Sequence, residues 1–184
     1  MKPFSWMVMG VGLVAIFATG CDGNYESMYE KTKVDQIEIK DLPQRTALQS
    51  KSKGAYFDAD NDMFMKLFRY IQSNEIKMTV PVEAEMEPGS MRFFAGQDAA
   101  DKKLASEKEV EVVTLPARQV ASIGVSGGYT RANFEKARAK LDEWLGKNNE
   151  WKADGEPYAV YWNSPFVPNM LKHSEVHVPV KPAN

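Results

Sequence analysis

His173, Glu175 and His177 alternate near the C-terminus, in HSEVHVPV, and their types and spacing are the most direct suggestion of chemistry in this chain. On a strand they share one face, and Val176, Val178 and Val180 take the other. If the valines face the core, both imidazoles point away from it. A His-x-Glu-x-His face has donors suited to Zn²⁺, but it supplies three ligands without a fourth, so no dedicated metal site is expected. The chain holds two histidines, so His173 and His177 are its imidazole candidates for a metal or an axial iron position. Met78 and Met170 offer sulfur, although ten methionines in one chain are more simply gap-fillers. The sequence offers no Ser-His-Asp or Cys-His arrangement and no Gly-rich phosphate loop of the required spacing. Gly127-Gly128, ahead of a helical stretch, reads as a tight turn with positive φ. A non-enzymatic protein is expected.

The lone cysteine, Cys21, has a different context. Residues 1–20 open with Lys2, continue as a mostly apolar run from Trp6 to Ala18 and end in Ala18-Thr19-Gly20. That run is short for a membrane span and is flanked as a signal peptide is. Small residues directly before Cys21 resemble the lipobox of bacterial lipoproteins, with Ala18 where Leu is commonest. The resemblance implies an exported protein acylated at Cys21, anchored to a membrane and facing the periplasm or the cell surface. An ordinary signal peptide or membrane anchor with an incidental cysteine is the alternative. One cysteine also excludes an internal disulfide, so the fold must rest on its core. Residues 21–33 are polar after the cysteine and read as a tether, able to extend on the order of 40 Å at ~3.3 Å per residue.

The elements that must position these groups are written twice. Ile37-Glu38-Ile39, two residues, then Leu42-Pro43-Gln44-Arg45 returns 73 positions later as Val110-Glu111-Val112, two residues, then Leu115-Pro116-Ala117-Arg118. Each copy continues with a Gly and a Tyr two places on, Gly54 with Tyr56 and Gly127 with Tyr129, and then a helix. The first helix carries Met63, Phe64, Leu67, Phe68 and Ile71 at helical spacing. The second begins around Thr130, buries Phe134, Ala137, Leu141, Trp144 and Leu145, and stops near Gly146. After the first helix, residues 77–87 alternate strictly, with Pro81 on the polar register, so that strand is expected at an edge or bulged. Met91 to Ala95 returns as a hairpin. Tyr158 to Trp162 and Glu175 to Val180 supply the last strands. The fold class is α+β: a pseudo-twofold duplicated unit forming an eight-stranded, mostly antiparallel, distorted barrel with two flanking helices. The halves span about 34–98 and 108–180 of one domain, 34–184. Two incomplete apolar faces packed together leave a seam, and seams are where small-molecule pockets tend to form.

NEIKMTVPV at 74–82 and YWNSPFVPNMLKHSEV at 161–176 resemble, in order, two motifs of the SOUL family of haem-binding proteins. The resemblance covers roughly residues 34 to 180. Ser174 stands where the family usually has Asn, and His177 where an aromatic is common. It implies a barrel shared with bacterial effector-binding domains, with haem or another tetrapyrrole held in an apolar groove. That groove would run beside the first helix and under the loop between the last two strands. Carried over, this points to Met63, Leu67, Arg69 and Tyr70 and to Phe166, Met170, Leu171 and Lys172. The residues agree in outline: Phe166, Met170 and Leu171 are apolar, yet sit on a loop with Pro165 and Pro168. Arg69 and Lys172 could face porphyrin carboxylates. The resemblance also implies two alternatives. One is a module for another lipophilic or cationic molecule, with Glu175 in the seam as counter-charge. The other is a small-molecule hydrolase using Glu175 with Tyr158, Tyr161 and Trp162.

The chain carries 23 basic and 25 acidic residues, formal net charge −2, interspersed along its length. That balance argues against a polyanion, so nucleic acid is not an expected partner. The expected partners are a small molecule and, through Cys21, a membrane.

Overall fold

The computed structural model describes residues 26–59, 62–99 and 102–183. The signal-peptide reading of residues 1–20 and the acylation of Cys21 lie outside them. In chain order the strands are β1 (Glu26–Ser27), β2 (Ile37–Leu42), β3 (Arg45–Lys51), β4 (Thr79–Val80), β5 (Val82–Glu85) and β6 (Ser90–Phe94). They continue as β7 (Glu111–Leu115), β8 (Arg118–Ser126), β9 (Trp151–Ala153), β10 (Tyr158–Tyr161) and β11 (His173–Pro182). Helix α1 (Asp62–Ser73) follows β3, and α2 (Arg131–Lys147) follows β8. No helix of the described residues is long and apolar enough to cross a membrane.

One antiparallel sheet runs in the order β2-β8-β11-β10-β5-β6-β3-β7, with β9 paired to β11 off that path. Exchanging each strand for its counterpart in the other copy (β2 with β7, β3 with β8, β5 with β10, β6 with β11) returns the same order read backwards. The sequence duplication is therefore a spatial twofold whose axis passes between β5 and β10. The opening strand of each copy crosses over: β2 pairs with β8, and β7 with β3. This exchange explains why the Leu-Pro-x-Arg turn is repeated. Both turns join a strand that belongs to the other half with one that belongs to their own.

The helices cover the outer face of the sheet. Met63, Leu67, Tyr70 and Ile71 of α1, at helical spacing, are buried in one core with Ala84, Phe93, Ile123 and Val176. Phe134, Ala137, Leu141 and Leu145 of α2 belong to the same core. Thr130 caps α2, its side chain accepting from the Asn133 N–H. Gly127, just before it, has φ +102°, as the tight-turn reading requires. The alternating stretch 77–87 is not one strand. It breaks at Pro81 into β4 and β5, and β5 lies at the centre of the sheet rather than at an edge.

The inner face is strongly concave. Glu83 on β5 meets Arg45 Nη1 of β3 at 3.1 Å and Arg118 Nη2 of β8 at 3.1 Å. In a flat sheet β8 would stand three strand spacings, roughly 14 Å, from β5, beyond the reach of one arginine. The sheet must therefore curl into a half-barrel around that carboxylate. Arg45 and Arg118 are the equivalent arginines of the two turns, so a single acid near the twofold is shared by both copies.

Candidate functional site

The curl brings the C-terminal groups together inside it. Val176 and Val178 pack into the helix-side core, as alternation requires, and His177 and Glu175 point the other way. That other face is closed. Both side chains are fully buried, beside a second cluster of Leu42, Val120, Tyr158, Val160 and Trp162. The expectation that the imidazoles point away from the core thus holds for the helix-side core and fails for exposure, because the curl makes an interior of the second face.

Residues 26–33, expected to belong to a free tether, complete this interior. β1 pairs in parallel with β4, and the chain then runs across the concave face. Tyr29 meets the Trp162 ring edge to face at 5.5 Å and lies 6.1 Å from the His177 ring. Thr32 is buried, donates its N–H to Glu175 Oε1 at 2.7 Å and shares a hydroxyl hydrogen bond of 2.7 Å with Ser122. Gly124 is obligatory beneath the segment, since a Cβ there would come within 2.4 Å of the Lys33 carbonyl oxygen. On the inner face, the seam between halves, where a pocket was expected, is therefore filled by the protein's own chain.

Glu175 is saturated. Oε1 accepts from Thr32 N–H and from Trp162 Nε1 at 2.8 Å, while Oε2 accepts from Ser122 at 2.9 Å and Lys40 at 3.1 Å and lies 2.6 Å from His177 Nε2. Burial alone would raise its pKa. The His177 contact, the Lys40 charge and the Thr32 N–H outweigh burial and carry it down to about 2. Burial pushes His177 below 6.5 although Glu175 pulls the other way. A neutral ring suits the geometry: Nε2–H donates to Glu175, and Nδ1, 3.1 Å from the Tyr158 hydroxyl, accepts from it. His173 Nε2 is turned to the Thr32 carbonyl at 2.9 Å. Among the described residues no group of His, Cys, Asp and Glu is placed to hold a metal.

An opening does exist beside α1. A cleft of about 280 Å³ is lined by Phe64, Met65 and Phe68 of α1, by Met78, Val80 and Val82, and by Tyr161 and residues 163–166 where the chain leaves β10. It lies beside the first helix and under the loop joining β10 to β11. Its helix wall is not the one expected. Met63, Leu67 and Tyr70 belong to the closed core, with the Tyr70 hydroxyl donating to the Ala105 carbonyl at 2.8 Å. The neighbouring helix face, 64, 65 and 68, looks into the cleft instead. Arg69 is exposed, one turn along from Met65 on the same side of the helix. Phe166 lines the cleft and is 89 % exposed, while Met170 and Leu171 on the same loop are 84 % and 67 % exposed. Lys172 is half-buried, donates to Asn169 Oδ1 at 3.0 Å and sits 5.0 Å from the Tyr129 ring centroid. A larger groove of about 760 Å³ runs between α2 and the ends of β5 and β10. Its walls mix Arg118, Arg131 and Arg138 with Glu85, Glu135 and Glu156, which suits water better than an apolar plate.

The family model for SOUL heme-binding protein matches residues 23–179, so its match begins before the strap on the inner face. No curated protein matches the sequence. Among solved structures, the chain is similar to the crystal structure of the EcmrR C-terminal domain, at 15 % identity and TM-score 0.56, covering 79 % of this chain and 97 % of that one. It is also similar to EcmrR in a complex with DNA, at 14 % identity and TM-score 0.61, where 79 % of this chain spans only 57 % of that chain. A hydrolase from Listeria innocua matches at 11 % identity and TM-score 0.55, over 80 % of this chain and 93 % of that one. At these identities the likenesses show a shared fold.

Proposed function

Because the chain belongs to the SOUL heme-binding protein family, we propose that it binds haem or another tetrapyrrole, without catalysing a reaction, in the cleft between α1 and the loop after β10. The observation that carries this reading is the cleft itself, open to solvent and walled mainly by aromatic, methionine and valine side chains, with Asn163, Ser164 and Pro165 at the loop. Its volume of about 280 Å³ lies just below the roughly 300–1,000 Å³ typical of small-molecule pockets. A plate inserted edge-first would therefore leave part of its face outside, where Phe166 has little else to cover. Phe64 and Phe68, stacked with centroids 6.0 Å apart, offer a stiff aromatic wall.

Haem would supply iron and two carboxylates. The cleft lining holds no imidazole or thiol, and its soft donors are the thioethers of Met65 and Met78. Binding would then rest mainly on ring-face contact, with the carboxylates directed outward toward Arg69 and Lys172. His173 and His177 are committed to Thr32, Glu175 and Tyr158 on the inner face.

The inner face supports the alternatives less well. A counter-charge for a lipophilic cation, or a base for hydrolysis, needs a free lone pair facing a cavity. Glu175 has five partners and Tyr29 stands in front of it. With Cys21 acylated, the protein would work at a membrane surface in the periplasm or on the cell exterior, buffering, storing or delivering its ligand. Haemin titration tests the reading: a Soret shift should saturate near one equivalent. No saturable shift, with tight binding of an unrelated lipophilic cation, would replace it with the second reading.

A further inference from the structure

Five large apolar side chains are notably exposed among the described residues: Val34, Met65, Phe166, Met170 and Leu171. Three of them, Phe166, Met170 and Leu171, are carried by the one loop between β10 and β11, and Phe166 and Met65 are on opposite walls of the cleft. Folding leaves such a patch uncovered only at a cost in water, so it marks a surface that meets something apolar.

The course of the N-terminal segment indicates what that is. β1 is hydrogen-bonded beside β4, with Ser27 opposite Val80 and the Met28 N–H on the Val80 carbonyl at 2.9 Å. Val80 lines the cleft. Five Cα steps separate Cys21 from Glu26, so whatever their path the two lie within about 18 Å of each other. An acyl chain on Cys21 would therefore tether the domain within reach of the edge that carries Val80, a wall of the cleft. Residues 163–172 carry no carboxylate and one lysine, Lys172, so anionic headgroups would not repel the loop.

We propose that the Phe166, Met170 and Leu171 loop is a second membrane contact, inserting into the headgroup and acyl boundary so that the cleft opens at the bilayer surface. A lipophilic ring dissolved in the membrane then enters the cleft without crossing water. The occupant of the patch is the lipid surface, reached by apolar burial of ~5–10 Å depth beside the anchor. This inference rests on acylation of Cys21 and not on the identity of the ligand.

The full chain, purified with its lipid and reconstituted in vesicles containing anionic lipid, gives the test. A Met170→Trp variant, with Leu171→Trp as an independent second probe, should lose emission when the lipid is brominated near the headgroup end of the acyl chain. That loss should exceed any loss by the parent protein. Absence of extra quenching in both variants overturns the proposal, as does a mass spectrum showing Cys21 unmodified. A blue shift that grows with protein concentration in the absence of lipid also overturns it, by assigning the patch to a second copy. Haemin titration of the same variants in detergent separates the two readings. Met170 and Leu171 do not line the cleft, so saturation there leaves ligand binding standing even if the membrane contact fails.

Discussion

Tyr29 and Trp162, 133 residues apart in sequence, meet edge to face with centroids 5.5 Å apart inside the curl of the sheet. That contact closes the inner-face side of the space between the two halves, and the cleft beside α1, which both halves line, stays open. Truncating Tyr29→Ala should destabilise the domain by about 2–3 kcal/mol, below the ~3–5 of a wholly buried aromatic because this ring is only partly covered. Urea unfolding measures the difference. Haemin binding should survive the change, since the cleft lies elsewhere.

Glu83 holds Arg45 and Arg118 from opposite halves, and Arg45 stands at charge-contact distance while its nitrogens are not aligned for hydrogen bonds. The Arg45 guanidinium stacks 4.4 Å from the Phe94 ring instead. Removing the acid strands the buried Arg45 and the partly buried Arg118. Glu83→Ala should therefore cost about 3–5 kcal/mol in chemical denaturation, more than any substitution on the cleft wall.

Stability should fall with acidity in two stages. His177 titrates below its ordinary 6.5 when folded, so protons bind the unfolded chain preferentially and stability declines as pH drops through 6.5. Glu175, at about 2 when folded against 4.5 unfolded, adds a steeper loss below pH 4.5 that continues toward pH 2. Urea midpoints taken from pH 8 to pH 2 check this. A His177→Gln variant should flatten the upper stage and also weaken the lower one, because the His177 contact is the foremost influence lowering Glu175.

Met65 is 41 % exposed on the cleft lip, so its replacement should leave folding nearly untouched, within ~0.5 kcal/mol. Met65→Glu puts a carboxylate against the face of any inserted ring. Haemin affinity should drop about tenfold or more, equivalent to ~1.4 kcal/mol, with thermal stability unchanged. Parallel haemin titrations and melting curves make the comparison.

The duplicated architecture was legible because each copy repeats its own local signals, and the palindromic strand order follows from them. Other features were not. Alternation placed His177 opposite the valines but could not say that the opposite face is an interior, since that depends on the curl set by Glu83 and two arginines 73 positions apart. The strap from Glu26 to Lys33 reads as polar because Thr32 is buried by hydrogen bonds rather than by apolar area. On α1 the apolar stripe 63, 64, 67, 68 and 71 is wider than the buried face. Which side meets the core and which the cleft is decided by the loop after β10, a contact that helical spacing does not contain.

The most direct test of the account compares haemin titrations of two variants, Met65→Glu on the cleft and Tyr29→Ala on the inner face. A saturable Soret shift weakened by the first and kept by the second is the predicted result. Undiminished binding in Met65→Glu, with binding altered in Tyr29→Ala, would contradict it and place the ligand beneath the strap.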